Sequence, residues 1–125
     1  VIGTGMIANA FNAYNKNDNY VIFASGVSNS TTINQQGFDR ETKLLSDTIQ
    51  NNQEKKLVYF STCSIYDDAM SLSPYVLHKL KMEELIIKGH PNYLIFRVTN
   101  PIGVTLNKST FLNYFIDKKE TDHIL

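Results

Sequence analysis

FSTCSIYDDAMSLSPYVLHK, residues 60–79, is the stretch on which the fold turns, because it carries the chain out of a strand, across a loop and into a helix. Leu57, Val58, Tyr59 and Phe60 make a short apolar run of β-favouring residues, and such a run ending in small polar residues reads as a buried strand meeting a ligand crevice. Ser61 and Thr62 then stand at its carboxyl end. Past the loop, Ser73 and Pro74 open a helix in which Tyr75 and Lys79, four residues apart, project from one face. One site can thus draw on a hydroxyl, a phenol and an ammonium, and a phenol beside a fixed ammonium ionises more readily.

At the head of the chain, Val1-Ile2-Gly3-Thr4-Gly5-Met6-Ile7-Ala8 fits G-x-G-x-x-A, the strand-to-helix turn that lets backbone N–H groups approach a pyrophosphate. Gly3 permits the turn, Gly5 lets phosphates come close, and Ala8 lets the helix lie near the strand. That helix runs from Met6 to about Tyr14, with Ile7, Ala10, Phe11 and Tyr14 as its apolar stripe. Tyr20 to Ala24 is the next strand, Ser28 to Gln36 a polar loop, and Phe38 to Gln50 a helix on which Arg40 and Glu41 read as solvent-exposed charges. The helix from Pro74 to Lys88, with Leu77, Leu80, Leu85 and Ile86, ends at Gly89; a strand from Tyr93 to Val98 and a helix from Ser109 to Asp117 follow. Alternating strands and helices predict an α/β domain with a mostly parallel sheet.

Three motifs in this order, together with the glycine turn, resemble the short-chain dehydrogenase/reductase superfamily, in particular its extended branch of nucleotide-sugar epimerases, dehydratases and reductases. Ser61, Thr62 and Tyr66 look like that family's strand-end Ser-Ser/Thr with its following Tyr. SPYVLHK, residues 73–79, looks like Ser-Pro-Tyr-x-x-x-Lys, and RVTNPIG, residues 97–103, like Arg-x-x-Asn-Pro-x-Gly. The resemblance implies a Rossmann-like sheet with flanking helices, NAD or NADP as cofactor, and a nucleotide-activated sugar as substrate, within nucleotide-sugar metabolism and polysaccharide biosynthesis. It implies Tyr75 as general acid/base, with Lys79 holding the nicotinamide ribose and lowering the phenol's pKa, and Thr62 hydrogen-bonding the substrate. By the same likeness Gly3, Gly5, Met6, Ile7, Ala8, Ala24, Ser25, Gly26, Ser61, Tyr75, Lys79, Asn100 and Pro101 face the cofactor, and Thr62, Cys63, Ser64 and Asn100 the substrate. A homodimer through the Phe38–Gln50 and Pro74–Lys88 helices is also implied.

The departures from the family pattern are specific. The second strand of a dinucleotide fold ends in an acid that binds the adenosine ribose, whereas Phe23-Ala24-Ser25-Gly26 offers none. FASGVS resembles instead the superfamily's fourth strand, so that the usual second and third are missing. Deleting two strands reverses the direction in which the first helix crosses the sheet, and right-handed crossovers are strongly preferred. Either the first helix packs on the opposite face, or Tyr20 to Ala24 occupies the second-strand position and its likeness to the fourth is superficial. The family's helix Asn has no counterpart in register: Gly37 lies closest and Asn34 is too early. Only 13 positions separate Thr62 from Tyr75, which suits a more open site. These gaps keep a rival open, a nucleotide-sensing or protein-interaction module of the same fold.

At 125 residues the chain suits one domain; its start at Val1, already at the end of a strand, and its stop soon after the last helix predict a fragment that lacks most of the substrate-binding part. Zero formal net charge with scattered Lys and Arg gives no footprint for nucleic acid or an anionic membrane. The lone Cys63 cannot form an internal disulfide and has no assigned base, so it reads as a packing residue in a cytoplasmic protein. Asp67 and Asp68 read as solvated loop carboxylates, and His78, His90 and His123 lack ligand spacing, so no metal is predicted.

Overall fold

The computed structural model describes residues 1–31 and 33–102. Gly103, the Ser109–Asp117 helix and His123 lie outside the described residues. Strand β1 (Tyr20–Phe23), β2 (Lys56–Thr62) and β3 (Tyr93–Val98) form a parallel sheet in the order β1-β2-β3, and Ile2 adds a parallel bridge to Phe23 on the outer side of β1. Helix α1 (Met6–Ala10), α2 (Gln35–Asn51) and α3 (Pro74–Gly89) make the connections, giving an α/β fold of partial Rossmann-like form.

The long helices start where side chains satisfy their first N–H groups. Asn34 accepts from Gly37 N, which begins α2 three residues before the expected Phe38 and shortens the polar loop. Ser73 accepts from Val76 N, with Pro74 in the first turn of α3, as its sequence predicts. Both helices cover the same sheet face: Leu45 and Ile49 from α2, and Met82 and Ile86 from α3, pack on Val21, Phe23, Leu57 and Tyr59. Fully burying such an aliphatic side chain is worth about 1.5–3 kcal/mol, so this layer supplies most of the core. Leu77 and Leu80 do not join it; α3 buries Tyr75, Val76, His78, Lys79, Met82, Glu83 and Ile86 instead.

Strand order decides between the two readings of Tyr20 to Ala24. β1 lies between Ile2 and β2, which is the place of the fourth strand; a second strand would leave the Ile2 segment next to β2. The first helix keeps to the face away from α2 and α3, because Phe11 packs on Phe60 at 5.5 Å and Tyr14 on Tyr20 at 5.9 Å, residues whose side chains alternate with the core positions. All three parallel steps advance in one direction, so the crossover through α1 has the opposite hand to those through α2 and α3. Handedness is enforced by a long helix packing back on the twisted sheet, and α1 is only five residues, followed by a 3-10 turn at Asn12–Tyr14. Among the described residues no helix is long and apolar enough to cross a membrane.

Candidate active site

The carboxyl ends of the strands open on a cavity of about 460 Å³, whose walls include Gly5, Met6 and Ile7 of the first turn, Ala24, Ser25 and Gly26 after β1, Ser61, Thr62 and Ser64 at the end of β2, Tyr75 and Lys79 of α3, and Asn100 and Pro101 after β3. Residues from five separate stretches thus meet at one cavity. Three do not line it. Gly3 lies beneath, with φ +125° and its Cα so close to the Ala24 carbonyl that a Cβ would stand 2.4 Å from that oxygen. Ala8 is buried, and Cys63 turns its Sγ toward the Arg97 carbonyl oxygen at 3.1 Å. Asp67 and Asp68 are exposed, and no group of three His, Cys, Asp or Glu able to hold a metal occurs among the described residues.

Thr62, Tyr75 and Lys79 are all buried. Thr62 also caps the 3-10 turn Cys63–Tyr66 by accepting from Ser64 N. The Lys79 ammonium lies 5.9 Å from the Tyr75 ring centre and donates to Tyr59 Oη at 3.2 Å and to Glu41 Oε1 at 3.0 Å. Burial pushes the Tyr75 phenol above its ordinary value, the Thr62 hydroxyl pulls it down, and the Glu41 charge pushes it up again. The balance is upward, with burial its largest cause; the charge of the nearby Lys79 is answered by Glu41.

Glu41 corrects the reading of α2. It is 0% exposed, not a solvated helix charge, because it occupies the buried stripe Phe38, Glu41, Leu45, Thr48, Ile49 and meets four donors there. Val27 N donates at 2.8 Å, Tyr59 Oη at 2.7 Å, Lys79 Nζ at 3.0 Å and His78 Nε2 at 2.9 Å, the last requiring its proton on Nε2. Burial pushes the carboxyl up, but His78, Lys79, Tyr59 and Val27 overcome it and hold it at about 2. Burial lowers the Lys79 ammonium, and Glu41 restrains that fall. His78, which shares the Glu41 carboxylate with Lys79, also stacks on Phe38 at 4.4 Å. The signal was present in the sequence: Glu41 lies at helical spacing between Phe38 and Leu45.

Arg40, beside it, does reach solvent, yet it also lines the cavity and donates to Ser25 through Nη1 to Oγ and Nη2 to O. It has no carboxylate within ion-pair distance among the described residues. Among the described residues no Asp or Glu lines the cavity, and the charged side chains that do are two cations, Arg40 and Lys79. Below the site, Arg97 clasps Glu83 through Nε to Oε1 at 3.0 Å and Nη2 to Oε2 at 2.7 Å and donates to Tyr66 Oη, tying β3 to α3 and to the loop after β2.

Compared with protein-family models, with curated proteins and with solved structures, the chain matches none.

Proposed function

We propose that this chain is the nicotinamide dinucleotide-binding domain of an oxidoreductase, epimerase or dehydratase that acts on a nucleotide-activated sugar, with Tyr75, Lys79 and Thr62 as its reacting group and helpers. The observation that carries the reading is the cavity itself, which joins the glycine turn to Tyr75 and Lys79 and is lined by Arg40, which has no carboxylate within ion-pair distance among the described residues, and by Lys79, whose charge Glu41 answers from behind the wall. Such a lining favours an anionic ligand. The residues fit the group: a Cβ at Gly5 would meet nothing within 4 Å, leaving open space for phosphates, while Ser25 and Gly26 lie near Lys79 and Asn100 and Pro101 close the far side. The substrate class rests on the family resemblance of the three motifs, and the reading admits both NAD and NADP, because β1 takes the place of the fourth strand and the second strand, whose end would carry the ribose-binding acid, has no counterpart among the described residues.

Nicotinamide, when bound, supplies the hydride acceptor. As hydride leaves the carbon bearing the substrate hydroxyl, Tyr75 takes that hydroxyl's proton and returns it in the reverse direction. Bringing an ordinary Tyr to neutrality requires about 3 pKa units, roughly 4 kcal/mol, and Tyr75 starts above the ordinary value. Lys79 alone does not meet that need, since Glu41 answers its charge, and the Thr62 hydrogen bond leaves the balance upward; the positive charge of an oxidised nicotinamide, when bound, would have to supply the rest.

Titration of the folded, full-length protein with NAD, NADP and their reduced forms tests the reading. Saturable binding of at least one is expected, and binding of none would overturn it. The upward balance at Tyr75 favours one rival, a module that senses the nucleotide without turnover. Binding without any exchange of hydride would select it.

A further inference from the structure

We infer that Glu41, which is not part of the cavity wall, is the positioning residue of this site: it holds Lys79 as an ammonium against the cavity and ties it to the Ser25–Val27 loop. Its functional consequence rests on the nucleotide reading above, whereas the ion pair itself does not. One carboxylate takes four hydrogen bonds from three elements: Oε1 from Lys79 Nζ and Tyr59 Oη, Oε2 from His78 Nε2 and Val27 N. The pair is sealed, with side chains 3% and 0% exposed. A buried ion pair is a poor device for stability alone, because apolar residues of the same volume commonly do as well or better. What it does supply here is place. Gly26 crosses directly over it, and a Cβ there would stand 2.6 Å from Lys79 Nζ and 3.0 Å from Glu41 Oε1. The loop, the ammonium and the carboxylate are therefore stacked in one register, with Lys79 reaching the ligand side and Glu41 behind it.

The titratable groups facing this pair are Tyr59 from β2 and Tyr75 and His78 from α3, with Glu83 acting on Tyr59 from further along α3. Among them Glu41 is the group in contact with the ammonium that carries a full negative charge, so its removal lets the buried ammonium lose its proton more easily.

The test compares Glu41→Gln with the wild-type chain by following the ε-carbon resonance of Lys79 through a pH titration, and by measuring NADH binding at each pH. The expected result is a lower Lys79 midpoint in Glu41→Gln, with NADH affinity reduced on the order of tenfold or more above that midpoint and recovering below it. Glu41→Asp, which keeps the charge, should restore part of the midpoint; a merely space-filling role would not distinguish Asp from Gln in this way. An unchanged midpoint in folded Glu41→Gln would overturn the inference. Should Glu41→Gln fail to fold, the double variant Glu41→Gln/Lys79→Met should fold, since the unpaired ammonium is gone. Failure of the double variant where Lys79→Met alone folds would also overturn it. A shifted midpoint in a protein that binds no dinucleotide would leave the ion pair standing and remove the nucleotide reading.

Discussion

Alanine substitutions at Gly3 and Gly5 separate what the glycine turn does for the fold from what it does for a ligand. At Gly3 the added Cβ would lie 2.4 Å from the Ala24 carbonyl oxygen, 2.7 Å from its carbon and 3.0 Å from Ser25 N, all backbone atoms, on a residue with φ +125°. Backbone cannot swing aside like a side chain, and Ala24 N is held by Ile2 O at 2.7 Å in the same bridge. A disfavoured φ costs about 1–3 kcal/mol and an overpacked contact a similar amount, so Gly3→Ala should lose about 2–5 kcal/mol. For a domain of this size that is roughly 4 °C per kcal/mol, or a fall in Tm on the order of 10–20 °C. At Gly5 the Cβ meets nothing within 4 Å, so Gly5→Ala should keep its stability within about 0.5 kcal/mol while weakening dinucleotide binding by crowding the phosphates. Thermal unfolding by circular dichroism and NADH titration read the two effects. A Gly3→Ala protein as stable as wild type would refute the close approach, and a Gly5→Ala protein that binds NADH as wild type does would refute the phosphate turn.

Acid should destabilise the protein through Glu41. Its carboxyl titrates at about 2 in the fold against an ordinary 4.5, so its contribution of about 3 kcal/mol is complete above pH 4.5 and is lost as pH falls toward 2, less whatever the lowered Lys79 ammonium takes back. Urea unfolding across that range checks it, and an equal acid slope in Glu41→Gln would count against the assignment. Arg40→Gln should weaken NADH binding and flatten its salt dependence with little change in stability, as isothermal titration at two ionic strengths would show. Tyr75→Phe should lose about 10² to 10⁴ in turnover with cofactor affinity nearly intact, Lys79→Met should lose affinity as well, and Thr62→Val should fall between them; full turnover by Tyr75→Phe would end the acid/base proposal. Leu77, Leu80 and Ile87 are 50%, 37% and 54% exposed along α3, so a homodimer through this face should dissociate in Ile87→Asp, and a wild-type protein that sediments as a monomer at high concentration would remove the idea.

Local chemistry made most of the site legible. Ser73 and Pro74 mark a helix start in any context, Tyr75 and Lys79 share a face by helix geometry, and a strand ending in Ser61-Thr62 needs only its own alternation to be recognised. The early start of α2 escapes a reading of the sequence because the Asn34 cap lies inside a run of equally polar residues. Arg40 looked like an ordinary helix charge because its place on the cavity depends on where the Ser25 loop lies.

From residue order alone came the α/β class, the bounds of most elements and many of the residues that line the candidate cavity, since these rest on periodicity and on contacts within a few residues. Strand order, the face on which α1 packs and the burial of Glu41 could be settled only in three dimensions. Each depends on partners far apart in the chain: Glu41 meets Val27 across 14 residues, Tyr59 across 18, His78 across 37 and Lys79 across 38. A charged residue on an apolar stripe is compatible with a kink in the pattern or with a buried ion pair, and the difference lies wholly in whether donors from other elements arrive to receive it.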